Sequence, residues 1–146
     1  KRFLPECTNP TLGQCDRGEL INAYDNTIVA TDHFLAATIA WLKGRSNDSA
    51  TALLYMSDHG ESLGELGIFL HGLPYALAPE AQKRVPFVAW MSEAMTRRRG
   101  IDRGCVSGSL QAPLTHDNLF HSVLGLIDVA TPAYQPPLDA FAACRK

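Results

Sequence analysis

Hydrophobic positions change their period several times along this chain, and each change marks an element. Between Asp16 and Lys43 the residues Leu20, Tyr24, Ile28, Thr31, Leu35, Ile39 and Leu42 recur at steps of three or four, which lines one face of a long amphipathic helix. Asp16 is placed to start it and Gly44 to end it at the residue past its last turn. After the polar turn Ser46-Asn47-Asp48-Ser49 comes a continuous apolar run, Ala50 to Met56, without alternation; its length and flanking turn signals predict a strand covered on both faces. Val85 to Met91 is a second such run, with Pro86 at its beginning or on an edge. Residues 60–83 between them mix Gly, Pro and both polarities, so a long functional connection is predicted, with one helical turn at Pro79-Glu80-Ala81-Gln82 and Pro79 at its first position. Residues 100–113 read as a loop holding at most a hairpin or one short strand. Thr115 then caps a helix whose apolar side is Leu119, Phe120, Val123, Leu124 and Ile127, and Pro132, Pro136 and Pro137 make an irregular tail. Helix, buried strand, loop, strand and helix together predict an α/β fold.

With 146 residues, 46% hydrophobic and 19% charged, the chain is a globular piece of at most one domain with enough residues to bury a core. A net charge of −2 and the lack of a polybasic run leave no electrostatic footprint for nucleic acid. Arg97-Arg98-Arg99 reads as a solvated basic loop. No apolar stretch approaches the roughly 20 residues of a membrane-spanning helix. The start at Lys1 carries no signal peptide and no initiator methionine, so the chain is expected to be an excised part of something longer.

Four cysteines allow three pairings. The short turn-rich loop between Cys7 and Cys15 favours that pair, which leaves Cys105 and Cys144 to tie down the tail. No CxxC spacing suggests a cysteine zinc site, and cysteines placed in loops favour an oxidising compartment.

Most of the chemistry is concentrated in Ser57-Asp58-His59-Gly60-Glu61-Ser62-Leu63-Gly64-Glu65, followed by Leu70-His71-Gly72. A buried strand ending in Asp58 and His59 delivers one oxygen and one nitrogen ligand, a mixture that zinc accepts. Ligands in open α/β sheets bind outside the carboxyl ends of strands, where this pair falls. His71 follows twelve residues after His59 across a Gly-rich loop and can approach the same centre. Glu61 and Glu65 would share a face if a helix began there. Either could orient a histidine, but one or both are expected to be solvated, and neither is placed in the ligand set. Ser57 and Ser62 lack the Gly-x-Ser-x-Gly elbow of a serine nucleophile. His33, beside Asp32, reads as a partly exposed helical histidine. His116 and His121 are five residues apart, not the three or four that align ligands on a helix, so His116, Asp117 and His121 are read as structural capping.

The string Ser57 to Glu65 resembles the metal motif of the alkaline-phosphatase superfamily, in its phosphoethanolamine transferase branch. The resemblance extends through Cys7-Thr8-Asn9-Pro10, Asn22 to Thr27, His71 to Ala76 and His116 to His121, and so covers most of the chain. It is strongest toward the lipid A phosphoethanolamine transferases that include the mobile colistin resistance enzymes. It implies a mainly parallel sheet between helical layers, incomplete here. Residues 1–146 would form the C-terminal part of a single soluble catalytic domain, with a membrane domain and the upstream catalytic half preceding it. It further implies Zn2+ held by Asp58 and His59. His71 would lie near the transferred phosphoryl group, as a catalytic and substrate-binding residue. The donor would be phosphatidylethanolamine, the acceptor lipid A, the association polymyxin (colistin) resistance, and the location the periplasmic face of the bacterial inner membrane. A periplasmic setting also strengthens the disulfide expectation for all four cysteines.

In enzymes of this branch a threonine at a helix start attacks the donor and becomes covalently modified. Thr8, Thr27, Thr31 and Thr115 do not occupy that motif. The nucleophile and a further acidic ligand are therefore expected before Lys1, and the isolated chain is expected to be inactive. A related phosphoglycerol transferase, a sulfatase-like hydrolase, or a non-catalytic module that binds metal or lipid head groups are the alternatives.

Overall fold

The computed structural model describes residues 1–109 and 111–146; Leu110, inside the expected 100–113 loop, lies outside the described residues. The elements run α1 (Arg17–Gly44), β1 (Ala52–Met56), β2 (Ser62–Leu63), β3 (Phe69–Leu70), α2 (Glu80–Lys83), β4 (Phe87–Met91), α3 (Glu93–Arg98), α4 (Arg103–Gly108) and α5 (His116–Ile127), with 3-10 turns at Leu12–Gln14, Glu65–Gly67, Pro136–Leu138 and Ala142–Cys144. They divide into two compact units, residues 1–38 with 57–86, and residues 39–56 with 87–146.

The long periodic segment is the helix α1. Asp16 starts it: its Oδ1 accepts the Gly18 N–H at 2.7 Å, neutralising one of the donors that a helix leaves unpaired at its first turn. Gly44 is its last helical residue rather than the residue beyond it. Leu20 alone in α1 is buried, so the predicted stripe is mostly half-buried, and Ile28, Phe34 and Trp41 are exposed.

In the first unit two asparagines of α1 hold the N-terminal segment. Asn22 Nδ2 donates to Pro5 O at 2.8 Å. Asn26 receives the Arg2 and Phe3 N–H groups at 2.7 and 3.0 Å and donates to Phe3 O at 2.8 Å. The Cys7–Cys15 disulfide closes the adjoining loop, as the short-loop reading expects. The long connection contains a small antiparallel hairpin, Ser62↔Leu70 and Leu63↔Phe69, and the short helix α2. Pro79 stands immediately before α2, one position earlier than expected.

In the second unit β1 and β4 pair antiparallel from Ala52↔Met91 to Met56↔Phe87. Both strand pairs among the described residues are therefore antiparallel, whereas the resemblance implies mainly parallel neighbours. Pro86 falls just before β4, where its missing N–H leaves the ladder intact. The core joins Ile101, Leu126 and Phe141, with Leu54, Phe87, Met91 and Val106 packed against them.

Three expectations need correction here. Part of the 100–113 loop is the helix α4, whose N-terminus Asp102 caps by accepting the Cys105 N–H at 3.1 Å; its two glycines and short length hide it from periodicity. The Arg97–Arg99 segment is not a solvated loop: Arg97 and Arg98 end α3. Arg99 is largely buried, paired with Asp128 at 2.7 Å and donating to Gly125 O at 3.1 Å. Finally, α5 buries Asn118, His121, Ser122, Gly125 and Leu126, while Phe120, Val123 and Ile127 are exposed. The irregular tail explains this reversal, because its backbone groups need partners. Asn118 Nδ2 donates to Leu138 O at 2.8 Å, the Ala140 N–H donates to Ser122 Oγ at 2.9 Å, and the Gln135 N–H donates to His121 Nδ1 at 3.1 Å. The tail is fastened at its far end by the Cys105–Cys144 disulfide.

Candidate metal centre

The motif begins directly after β1. Ser57 Oγ donates to His59 O at 2.8 Å, folding the backbone around Asp58 into a tight turn. Gly60 is buried, and its N–H donates to Gln82 O at 3.0 Å. A side chain cannot replace its hydrogen: a Cβ there would collide with the Ala81 carbonyl oxygen and stand 3.1 Å from the Ala81 carbonyl carbon. Gln82 and Ser62 are both buried, and Gln82 Nε2 donates to Ser62 Oγ at 2.9 Å. Helix α2 thus clamps the turn that carries Asp58 and His59.

His59 Nδ1 stands 3.0 Å from Gly60 O. A carbonyl only accepts, so Nδ1 carries the proton and Nε2 keeps its lone pair. That Nε2 lies 3.7 Å from Asp58 Oδ2. Two ligand atoms bound to one tetrahedral zinc at ordinary bond lengths stand about 3.4 Å apart, so the pair fits a shared cation after a small adjustment. Asp58 is the exposed partner, with 87% of its side chain accessible; its Oδ1 accepts the His59 N–H at 3.0 Å.

Behind this pair stands a second group. His71 and His59 rings stack at 3.7 Å between centroids, tilted by 30°. His71 Nδ1 is 2.8 Å from Glu61 Oε1. One donor atom from each of His59, Glu61 and His71 lies within 4.8 Å of the others, a nitrogen–oxygen set of the kind that binds zinc. One or both of Glu61 and Glu65 were expected to be solvated; Glu61 Oε2 is instead buried without a hydrogen-bond partner. Glu65 serves the hairpin tip, its Oε2 accepting the Leu63 N–H at 2.7 Å.

The hairpin explains why His71 arrives here. Left-handed backbone at Gly64 (φ 104°), Leu66 (φ 55°) and Gly67 (φ 75°) turns the chain back, and Leu70 (φ 61°) and Gly72 (φ 108°) bracket His71 with the same geometry. For leucine this conformation costs about 1–2 kcal/mol, and strain of this kind concentrates at functional sites.

The other histidines lie elsewhere. His33 is exposed on α1. Helix α5 is capped by Thr115 and Asn118, whose Oδ1 accepts the Thr115 N–H at 2.7 Å, rather than by His116 or Asp117. Buried His121 holds the tail through the bond from Gln135 and packs edge-on against Phe120.

Comparison with known proteins gives one consistent result. The family model described as Sulfatase matches residues 1–129. Phosphoethanolamine transferase EptA of Escherichia coli (strain K12) is 43% identical over 147 aligned positions, which take in 100% of this chain and 27% of that protein. Phosphatidylethanolamine transferase Mcr-1 of Escherichia coli is 42% identical over 128 positions, covering 88% of this chain and 22% of that protein. The crystal structure of the soluble domain of lipooligosaccharide phosphoethanolamine transferase A from Neisseria meningitidis superposes with a TM-score of 0.94 at 40% identity, over 99% of this chain and 44% of that one. The chain therefore spans about a quarter of the length of these curated relatives and shares the fold of the matching part of that soluble domain.

Proposed function

We propose, from the premise that this chain belongs to the sulfatase family, that it forms the C-terminal part of the catalytic domain of a zinc-dependent phosphoethanolamine transferase. The donor is phosphatidylethanolamine and the acceptor lipid A. Relatives named as phosphoethanolamine and phosphatidylethanolamine transferases and as a Kdo(2)-lipid A phosphoethanolamine 7''-transferase support the reaction class and the acceptor. The observation that carries the reading is the Asp58–His59 pair, with Oδ2 and Nε2 3.7 Å apart beside a second histidine. The likeness to the periplasmic domain of EptC from Campylobacter jejuni and to the integral membrane enzyme from Neisseria meningitidis supports a periplasmic location facing lipid substrates of the inner membrane. No helix among the described residues is long and apolar enough to cross a membrane.

Asp58 Oδ2 and His59 Nε2 would hold the zinc in this reading, and a zinc ion bound there would supply Lewis-acid chemistry toward the phosphoryl group. His59 keeps the right nitrogen forward because Gly60 O retains the proton on Nδ1. Gly60 and Gln82 hold the turn at fixed depth, since an oriented ligand contributes only when its position is fixed in advance. His71, stacked on His59, turns its remaining nitrogen, a lone-pair acceptor, toward the phosphoryl group, where it takes up a proton from the attacking group and passes it on to the leaving group.

The test uses the intact enzyme with phosphatidylethanolamine and lipid A, following the phosphoethanolamine group by mass spectrometry. Mass gain on lipid A supports transfer. Release of free phosphoethanolamine to water, with no gain on lipid A, would replace this reading by a hydrolase.

A further inference from the structure

We infer that Glu61 is a positioning residue that acts through His71, an assignment that rests on the transferase reading above. The hairpin register leads to it directly. Ser62 pairs with Leu70 and Leu63 with Phe69, so one step beyond the ladder residue 61 stands opposite residue 71. Residues directly opposite on an antiparallel pair are held close enough to interact. Here the two side chains meet at 2.8 Å, Nδ1 to Oε1.

A carboxylate only accepts hydrogen bonds, so this contact requires the proton on His71 Nδ1. The ring's other nitrogen, Nε2, is then the atom left to face a substrate. His71 is about half exposed, while Glu61 is the more enclosed partner. The histidine therefore depends on the glutamate, and on the stacked His59 ring, for a single orientation. Left to solvent, a neutral imidazole chooses its own tautomer and rotates about its side-chain bonds. Left-handed Leu70 and Gly72 bracket the backbone of His71, but they do not fix its ring; Glu61 does. Glu61 Oε2 is itself buried, so the carboxylate that orients His71 is enclosed by its surroundings.

The sequence favours the same division of labour. Glu61 stands two residues after His59, on the far side of buried Gly60, so the turn that holds His59 also carries the group that holds His71. One local unit then sets both the ligand and the phosphoryl-facing histidine, and their mutual spacing is fixed by the eleven residues 60–70, which include the hairpin, instead of by distant elements.

The experiment is a double-mutant cycle in the intact enzyme, with turnover, KM and bound zinc measured on the same preparations. Glu61→Ala is expected to lower kcat about 10–100-fold, the usual loss when a group orienting a site histidine is removed, with zinc content unchanged. Glu61→Gln, whose amide oxygen accepts the same Nδ1–H bond, is expected to stay within about threefold of the unaltered enzyme. In a His71→Ala background, Glu61→Ala is expected to add no further loss, because its effect passes through the missing ring. Independent losses that multiply, loss of zinc together with rate, or full activity of Glu61→Ala would each overturn the assignment. A readout independent of turnover is the 15N spectrum of His71 in the metal-free protein, recorded above the histidine titration range. It should show Nδ1 protonated in the unaltered protein and a shift to the Nε2–H form in Glu61→Ala. An Nε2–H ring in the unaltered protein would overturn the assignment even if the transferase reading stands, and an enzyme without transfer activity but with this tautomer pattern would overturn only that reading.

Discussion

Replacing Gly60 by alanine places a methyl group where the structure has none to spare. The added Cβ would run into the Ala81 carbonyl oxygen and approach the Ala81 carbonyl carbon to 3.1 Å and Gln82 Cα to 3.4 Å. Carbon atoms in comfortable contact stand about 3.5–4.0 Å apart. All three neighbours are backbone, so no side chain can swing aside, and either the turn or α2 must withdraw. Overpacking of this kind costs about 1–3 kcal/mol. Withdrawal also breaks the Gly60 N–H bond to Gln82 O, worth about 0.5–1.5 kcal/mol net, and threatens the buried Gln82–Ser62 bond. The total is about 2–4 kcal/mol of destabilisation. His59 is the adjacent residue, and its Nδ1 is held by Gly60 O, so the same movement displaces the imidazole proposed to bind zinc. A displacement near 1 Å costs about 100-fold in a reaction that depends on alignment. Thermal unfolding and zinc affinity should be measured on the same Gly60→Ala protein, with and without metal. Both are expected to fall, with the affinity loss persisting at temperatures where the protein is fully folded. Unchanged stability and unchanged zinc affinity would refute the claim that this close approach builds the site.

Gly125→Ala should destabilise the second unit by a comparable amount, because its Cβ would collide with the Asp139 carboxylate and stand 2.5 Å from Arg145 Nη2, disrupting their 2.7 Å ion pair; a melting temperature equal to the unaltered protein's would contradict this. The Cys105–Cys144 bridge closes a 39-residue separation and Cys7–Cys15 one of 8, so loop-closure entropy predicts losses of about 4 and 2.5 kcal/mol on removing them; denaturant midpoints of paired Cys→Ser variants check the order. The Arg99 guanidinium bonds to Asp128 and holds its carboxyl below the usual range, so its contribution to stability is present above that range and lost as pH falls through the lowered value; Asp128→Asn should flatten that acid limb. Burial, followed by the bond to Asp139, pushes the Tyr134 phenol up, so its contribution holds below the ordinary value of about 10 and is lost as pH rises through the raised one; an alkaline stability limb unchanged in Tyr134→Phe would contradict this.

The elements with a clean period were legible in the sequence. Seven apolar positions from Leu20 to Leu42 specify α1, and two unbroken apolar runs specify β1 and β4. The disulfides followed from loop length and elimination. What escaped was structure fixed by side-chain contacts to backbone. Helix α4 rests on the Asp102 cap and has too few residues to show a period. The polar residues of α5 face inward because the tail's amides and carbonyls need partners there, a demand that hydropathy cannot register. Arg99 was hidden by its two exposed arginine neighbours, although Asp128 supplies the charge that draws it in. At the site, Asp58, His59 and His71 stood out by residue type and spacing. Glu61 was legible only as one of two carboxylates able to orient a histidine, because its partner depends on the hairpin register Ser62↔Leu70, and two-residue strands carry no alternation to read.

The central claim is that Asp58 and His59 hold a zinc ion on which phosphoethanolamine transfer depends. The most direct measurement is the zinc content and transfer rate of the intact enzyme carrying His59→Ala, determined on one preparation whose folding is verified by circular dichroism. Loss of the ion together with loss of phosphoethanolamine gain on lipid A, in a protein that remains folded, is the predicted result. A folded His59→Ala enzyme that retains stoichiometric zinc and its transfer rate would contradict it.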